Sequence, residues 1–222
     1  MGVSAAGGLS APRGGETTNG GMRTMKRMAL LLAAGALALS ALAGPAAAAY
    51  VPERDYMAEM AEAVMAGDYA AGAAAAAQRE EKIADLALDY PAIEFEELWL
   101  LSKIIYAEAG SVWLPMDWKM AVGEVVLNRM ASPEFPDTMR EVLEQPGQYY
   151  GKGSGYFNGI KPSAECVEAA RRLLEGERVL GEPGVVFQSN YRLGSAVYLE
   201  MQDRLLGSTY FCLSSHPELY QA

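Results

Sequence analysis

Apolar residues recur at intervals of three and four in four segments between residues 94 and 175. This is the period of a helix that buries one face. The sequence predicts helices over about residues 94–109, 116–130, 138–144 and 163–175. The third begins with the spacing of a capping box, Thr138 to Glu141, and the fourth starts after Pro162 and ends before Gly176.

The pattern changes after Gly184 to short runs typical of β-strands, over residues 185–188, 196–202 and 208–213. Gly194 and Gly207 separate these runs, as turn residues do between paired strands. Helices followed by neighbouring short strands indicate an α+β protein. We therefore predict a mainly helical domain with a small antiparallel sheet near the C-terminus.

The first 49 residues are predicted to be an N-terminal extension with a secretory signal peptide. Lys26 and Arg27 precede an uncharged run over residues 28–43, and small residues follow as at a cleavage site. Cleavage after Ala43 and cleavage after Ala49 both fit. The alternative is an uncleaved membrane anchor, although the run is shorter than the roughly 20 residues of a spanning helix. We expect a secreted or envelope-associated protein without a stable membrane span.

Residues 50–92 are predicted to form a helical extension. The segment is rich in alanine, methionine and glutamate, and Gly67 and Gly72 interrupt it. This composition favours one or two exposed helices. Pro91 ends the pattern, so the main domain is predicted to span residues 93–222.

Charge and cysteine content narrow the possible partners. Without residues 1–49, the chain has 14 basic and 27 acidic side chains, a formal charge of −13. Such a surface repels phosphate backbones, so nucleic-acid binding is disfavoured and an anionic polymer would need local contacts.

Cys166 and Cys212 could pair after export or remain buried thiols, and the sequence leaves both open.

The residue inventory excludes several catalytic classes. His216 is the single histidine and lies near the C-terminus, which disfavours serine and cysteine triads. One histidine and two distant cysteines do not provide a zinc cluster, and the glycines at 151, 153 and 155 lack the context of a nucleotide loop. Catalysis by carboxylates, with neither metal nor cofactor, remains.

Glu108 is the candidate carboxylate. It continues the apolar stripe of Leu98, Leu101, Ile104 and Ile105, so the spacing predicts that it points at the core. Burial and the negative end of the helix dipole both raise a carboxyl pKa, as a general acid requires. The alternative is a structural glutamate that reaches solvent or caps a neighbouring loop.

Five blocks of the sequence resemble the cell wall hydrolases of the SleB (spore-cortex-lytic enzyme) type. They are IYAEA at 105–109, MAVGEVVLNR at 120–129, SPEFPDT at 132–138, QPGQY at 145–149 and YFC at 210–212. The resemblance implies a lysozyme-like catalytic domain that cuts peptidoglycan glycan strands, typically as a lytic transglycosylase. It implies that Glu108 is the acid.

Two alternative functions remain open beside the transglycosylase. A muramidase that hydrolyses through water would share the site and would need a second carboxylate, for which Glu124, Asp117 and Glu134 are candidates. Glu124 is expected on an exposed polar face. A secreted glycan-binding module would instead require Glu108 to be exposed and its pKa unperturbed.

Amide and tyrosine side chains are the candidates for the glycan groove, because amides match sugar hydroxyls and tyrosine rings pack on pyranose rings. The stronger candidates are Gln145, Gln148, Tyr149 and Tyr150; the weaker ones are Gln188, Asn190 and Tyr191. Asn128 and Arg129 are expected to tie the second helix to the following loop. Trp99, Trp113 and Trp118 are core or groove-wall residues.

Overall fold

The computed structural model describes residues 54–88, 92–149 and 155–220. The predicted signal peptide and Tyr150 lie outside the described residues. The division of the chain at residues 49 and 92 stays a prediction. No helix in the part of the chain that the structure describes has the length and apolarity needed to cross a membrane.

Seven α-helices are described, and the four that the sequence predicts after residue 92 are confirmed. The helices are α1 (Tyr56–Ala66), α2 (Tyr69–Asp85), α3 (Phe95–Ala109), α4 (Met116–Ala131), α5 (Met139–Leu143), α6 (Gly155–Gly159) and α7 (Ala164–Leu174). The Thr138 side chain accepts a hydrogen bond from the Glu141 backbone N–H (3.3 Å), which begins α5 as the capping spacing predicts. The short helix α6 was not predicted, because its GYFNG sequence has no apolar period.

Three strands form an antiparallel sheet in the order β1-β3-β2. They are β1 (Val185–Ser189), β2 (Val197–Asp203) and β3 (Gly207–Leu213), and a 3-10 helix follows at Pro217–Tyr220. The Asp203 carboxylate accepts hydrogen bonds from the backbone of Leu205 and Leu206 and so orders the β2–β3 turn. The predicted α+β class, mainly helical with a small antiparallel sheet near the C-terminus, is confirmed.

Helix α4 lies between two apolar clusters. One side contributes Met120 and Val126 to a cluster with α1, α2, α3, α5 and α7, and the other side contributes Val122 and Val125 to a cluster with the sheet. Gly123 permits this packing, because a Cβ there would lie 2.5 Å from Leu173 Cδ1 and 2.8 Å from Ile105 Cδ1. The helix therefore fixes α3 relative to the sheet.

The expectation that the helices of residues 50–92 are exposed is wrong for one face of each. Met60 and Val64 of α1 are fully buried, and Ala75 and Ala76 of α2 join them in the larger apolar cluster. Gly72 lets α2 lie directly against the Phe95 ring, which a Cβ would overlap at 1.8 Å. The alanine-rich sequence thus permits close helix contact rather than marking an exposed spacer.

Candidate active site

A cleft of about 610 Å³ opens where α3 and α4 meet the sheet. Glu108 comes from α3, Trp118 and Val122 come from α4, and residues 147–149 come from the loop after α5. The end of β1 contributes residues 188–190, and β3 contributes Thr209. The cleft therefore collects side chains from segments distant in sequence, as ligand sites commonly do.

Glu108 lies in the last turn of α3 and is exposed to the cleft. The apolar spacing had placed it towards the core, which is wrong: the stripe ends at Ile105, and one turn later the same face meets the open cleft. Its carboxylate makes no hydrogen bond or ion pair with the described residues. The walls of the cleft still remove water from the group, and this desolvation raises the pKa of Glu108 above its ordinary value of 4.5.

The end of α3 is set by Gly110. A Cβ at this position would lie 2.3 Å from the Tyr106 carbonyl oxygen, so a larger residue would displace the backbone that follows Glu108. The chain then turns and enters α4 at Met116. Glycine here keeps Glu108 at the edge of the cleft.

Tyr149 lines the cleft together with Glu108. It is 9% exposed, and its buried hydroxyl has no hydrogen-bond partner among the described residues. Burial raises the pKa of Tyr149 to about 12, the neighbouring Arg129 cation lowers it, and the Glu108 charge raises it again. The hydroxyl is therefore neutral at physiological pH, and its proton is not donated to any described residue.

Arg129 packs against three aromatic rings, one of which is the Tyr149 ring of the cleft. Its guanidinium carbon lies 4.9 Å from the centre of the Phe135 ring, 5.0 Å from that of Tyr149 and 5.7 Å from that of Phe187. Its Nε donates to the Val186 carbonyl (2.6 Å), and Asn128 donates to the carbonyls of Glu182 and Val185. These residues tie α4 to β1 as well as to the following loop, a role that sequence spacing could not reveal.

Four of the seven residues predicted for the glycan groove line the cleft. Gln148, Tyr149, Gln188 and Asn190 line the cleft with Glu108, and the buried Gln188 Oε1 has no partner among the described residues. Gln145 and Tyr191 do not line it: Gln145 is half-buried behind the loop, and Tyr191 is 62% exposed. Trp118 is a cleft wall, whereas Trp113 is exposed. Sugar binding by any of these residues stays a prediction.

None of the three candidate second carboxylates lines the cleft. Asp117 is exposed elsewhere on α4, and Glu134 accepts hydrogen bonds from Ser214 and Tyr220. The expectation that Glu124 is exposed is wrong. It is 1% exposed and accepts hydrogen bonds from the backbone N–H groups of Val179, Leu180 and Gly181 at 2.7–2.8 Å. The segment over residues 179–181, which is distant in the sequence, covers this side chain and explains the burial.

Comparison with known proteins finds similar sequences among cell wall hydrolases. A family model described as Cell Wall Hydrolase matches residues 115–192, which begin seven residues after Glu108. A spore cortex-lytic enzyme of Oceanobacillus iheyensis is 25% identical over 116 residues, which are 52% of this chain and 41% of that protein. A spore cortex-lytic enzyme of Halalkalibacterium halodurans is 26% identical over 137 residues, 61% of this chain and 41% of that protein.

The chain thus spans less than half the length of these curated relatives. Among solved structures, the catalytic domain of the Bacillus cereus SleB protein matches 56% of this chain and 93% of its own length, with 20% identity and a TM-score of 0.41. The sequence blocks at 120–129, 132–138 and 145–149 all fall within the matched family region. The resemblance to cell wall hydrolases of the SleB type is therefore confirmed over the matched region.

Proposed function

We propose that this protein cleaves the glycan strands of peptidoglycan as a lytic transglycosylase, with Glu108 as general acid and then base. The observation that carries the proposal is a lone carboxylate, with a raised pKa and without a hydrogen-bond partner among the described residues, in an open cleft. A protonated carboxyl group that faces substrate is the first requirement of glycosidic bond cleavage. The names of the curated relatives agree with a substrate of this class.

The chemistry needs one carboxyl group. Protonated Glu108 gives its proton to the oxygen that bridges N-acetylmuramic acid and N-acetylglucosamine, and the bond from that oxygen to C1 of the muramic acid breaks. The resulting carboxylate accepts the proton of the muramic acid C6 hydroxyl as O6 bonds to C1. Water is not consumed, Glu108 regains its proton, and one product ends in a 1,6-anhydro ring.

The other cleft residues have roles that follow from their chemistry. The neutral Tyr149 hydroxyl donates a hydrogen bond, and Gln148, Gln188 and Asn190 supply amide groups for sugar hydroxyls and acetamido groups. Trp118 offers an apolar wall. Arg129 positions Tyr149 without touching substrate.

The transglycosylase fits better than the muramidase because the described lining of the cleft includes no acidic side chain besides Glu108. A hydrolase would need a second carboxylate about 5–9.5 Å from the first. The substrate lies outside the cytoplasm, so the proposal also requires export, for which the sequence within residues 26–49 is the predicted signal.

The test is digestion of purified peptidoglycan by the whole chain, followed by mass spectrometry of the released fragments. The expected products carry 1,6-anhydromuramic ends, one water lighter than hydrolysis products. The Glu108→Gln variant is expected to lose at least roughly 10²–10⁴-fold in rate. Glu134→Gln, which changes a carboxylate outside the cleft, is the matched control and keeps the activity.

The other outcomes separate the alternatives. Reducing ends instead of anhydro ends would establish a muramidase and direct the search to a second carboxylate. Strand binding without any release, equally in the unmodified chain and in Glu108→Gln, would overturn the enzymatic proposal in favour of the glycan-binding module.

A further inference from the structure

A second cavity, of about 450 Å³, shares Tyr149 with the cleft. Aromatic side chains form much of its wall, and Lys103 of α3 contributes a cation. The charged and aromatic side chains of the lining are Tyr69, Trp99, Lys103, Arg140, Glu144, Tyr149 and Phe157. Apart from Tyr149, its lining includes none of the residues predicted for the glycan groove.

Lys103 is a buried cation without a counter-ion among the described residues. Its side chain belongs to a residue only 3% exposed, and its ammonium donates one hydrogen bond, to the Asn158 carbonyl at 2.9 Å. The same ammonium lies 4.8 Å from the centre of the Trp99 ring and 5.4 Å from that of Phe157. Burial lowers the pKa of Lys103, because the ammonium is partly removed from water.

Lys119 shows what a structural buried lysine looks like in this fold. It is 1% exposed, donates to the carbonyls of Ser111 and Leu114 at 3.0 and 2.7 Å, and lies 3.4 Å from the Glu165 carboxylate. All three of its ammonium donors have acceptors nearby. Lys103 makes one hydrogen bond with the described residues and otherwise faces two aromatic rings and the cavity, so its ammonium retains capacity to donate to a ligand.

We propose that this cavity binds a carboxylate of the stem peptide carried by the muramic acid of the strand in the cleft. The inference rests on the proposed function. A stem peptide combines small aliphatic side chains, which suit aromatic walls, with carboxylates, which suit an ammonium; the neutral sugars offer no charge.

The length of a stem peptide and the charge of Lys103 both fit a stem-peptide carboxylate as the ligand of this cavity. A stem of four residues spans at most roughly 13–14 Å when extended, and the two cavities share the Tyr149 side chain as a wall. The chain without residues 1–49 has a formal charge of −13, so long-range attraction cannot bring an anionic peptide to the surface. A buried cation supplies the local contact that such a ligand needs. Arg140 also lines the cavity, but it is paired with Glu96 and with Glu144, another lining residue, 4.0 Å away, so Lys103 is the cation that the cavity offers to a ligand.

The kinetic test compares strands that carry stem peptides with the same strands after an amidase has removed them. The unmodified chain is expected to have a kcat/KM roughly ten- to hundredfold higher on the peptide-bearing strands, the range of a charge-assisted hydrogen bond. In Lys103→Met, which keeps an apolar side chain of similar length, this ratio is expected to fall towards one. Lys161→Met, an exposed lysine outside both cavities, keeps the ratio.

A binding measurement keeps the inference testable if Lys103→Met does not fold. Calorimetry on the Glu108→Gln chain compares a disaccharide-tetrapeptide with its analogue in which the peptide carboxylates are amides. The inference expects the acid to bind at least roughly tenfold more tightly. Equal binding of acid and amide, or equal cleavage of both kinds of strand, would overturn the inference and leave the proposed function intact. Absence of cleavage on both strands would overturn the proposed function, and the calorimetry would then decide the inference alone.

Discussion

Two glutamates on adjacent helices occupy opposite environments. Glu124 of α4 is fully buried, and three backbone N–H groups of the segment before β1 saturate its carboxylate. Glu108 of α3 faces an open cleft, and no described residue donates to it. Sixteen positions apart in the sequence, the two are chemically identical side chains.

The difference separates a structural carboxylate from one available for chemistry. At Glu124, every strong interaction is made within the protein, so the group fixes the loop over residues 179–181 and has nothing left for a ligand. At Glu108, partial desolvation raises the pKa without a compensating contact, so the carboxyl group retains its capacity to give and take a proton. The predictions below test this contrast.

The largest effect on stability is expected at Glu124. Glu124→Ala leaves three backbone N–H groups without an acceptor and opens a cavity beside Gly123, so the free energy of unfolding is expected to fall by about 3–5 kcal/mol. Urea denaturation measures the loss. Glu108→Ala is the matched control and is expected to cost less than about 1 kcal/mol, because surface substitutions without partners are mild. Similar losses at the two sites would contradict the contrast.

Arg129 tests the same contrast between structural and functional roles at the Tyr149 wall of the cleft. Arg129→Met removes the donor to Val186 and the cation between three rings, and we expect a loss of about 2–3 kcal/mol in unfolding free energy. The rate per folded molecule is also expected to fall, because Tyr149 loses its support. Urea melts and strand-cleavage rates measure the two effects.

Arg178→Met is the control for Arg129, since Arg178 also donates to carbonyls but is exposed and contacts no ring among the described residues. Its substitution is expected to change stability and rate only slightly. If Arg129→Met lowered stability but left the rate per folded molecule intact, Arg129 would be a structural residue and would not position Tyr149.

The pH dependence of cleavage tests the role of Glu108 as general acid. The acid form is active in the first step, and desolvation raises its pKa above 4.5, so kcat/KM is expected to fall on the alkaline side with a midpoint above that value. Beyond the midpoint, the rate is expected to drop about tenfold per pH unit until another group limits it. A pH–rate profile on glycan strands measures this. A midpoint at or below the ordinary glutamate value would refute the assignment.

The sequence predicted the helices and strands better than it predicted the surroundings of individual side chains. The periods of residues 94–109 and 116–130 gave α3 and α4 nearly to the residue, because apolar residues recur at helical spacing along both segments. The same period placed Glu108 in the core and left Glu124 exposed, and both expectations were wrong. A helical period gives the direction of a side chain but not what surrounds it. The cleft around Glu108 and the loop that covers Glu124 come from segments about 40 to 100 positions away in the sequence.

Tyr149 and Gln188 illustrate the same limit. Their chemistry marked them as candidates for sugar contact, and long-range folding brought them to the cleft with Glu108. Gln145 and Tyr191 had the same chemistry and do not line it. Lys103 was not singled out, because a lysine on a helix is normally solvated and only the packing of Trp99 and Phe157 over its ammonium reveals the cavity.

The smallest expected effect is the most specific, because one substitution is expected to change stability in opposite directions at the two glutamates. Glu108→Gln removes a charge that the cleft desolvates, so it is expected to raise the melting temperature by roughly 1–2 °C near pH 7. A raised folded pKa means that the wild-type group contributes stability below the unfolded value of about 4.3 and loses it as the pH rises through the folded pKa. The gain from Glu108→Gln is therefore expected to vanish near pH 4.

Glu124→Gln, measured in the same scans, is expected to lower the melting temperature, because an amide oxygen cannot replace a carboxylate that accepts three N–H groups. Changes of the same sign at both positions would mean that the cleft holds Glu108 in contacts as strong as those of Glu124, and its carboxylate would no longer be free for catalysis.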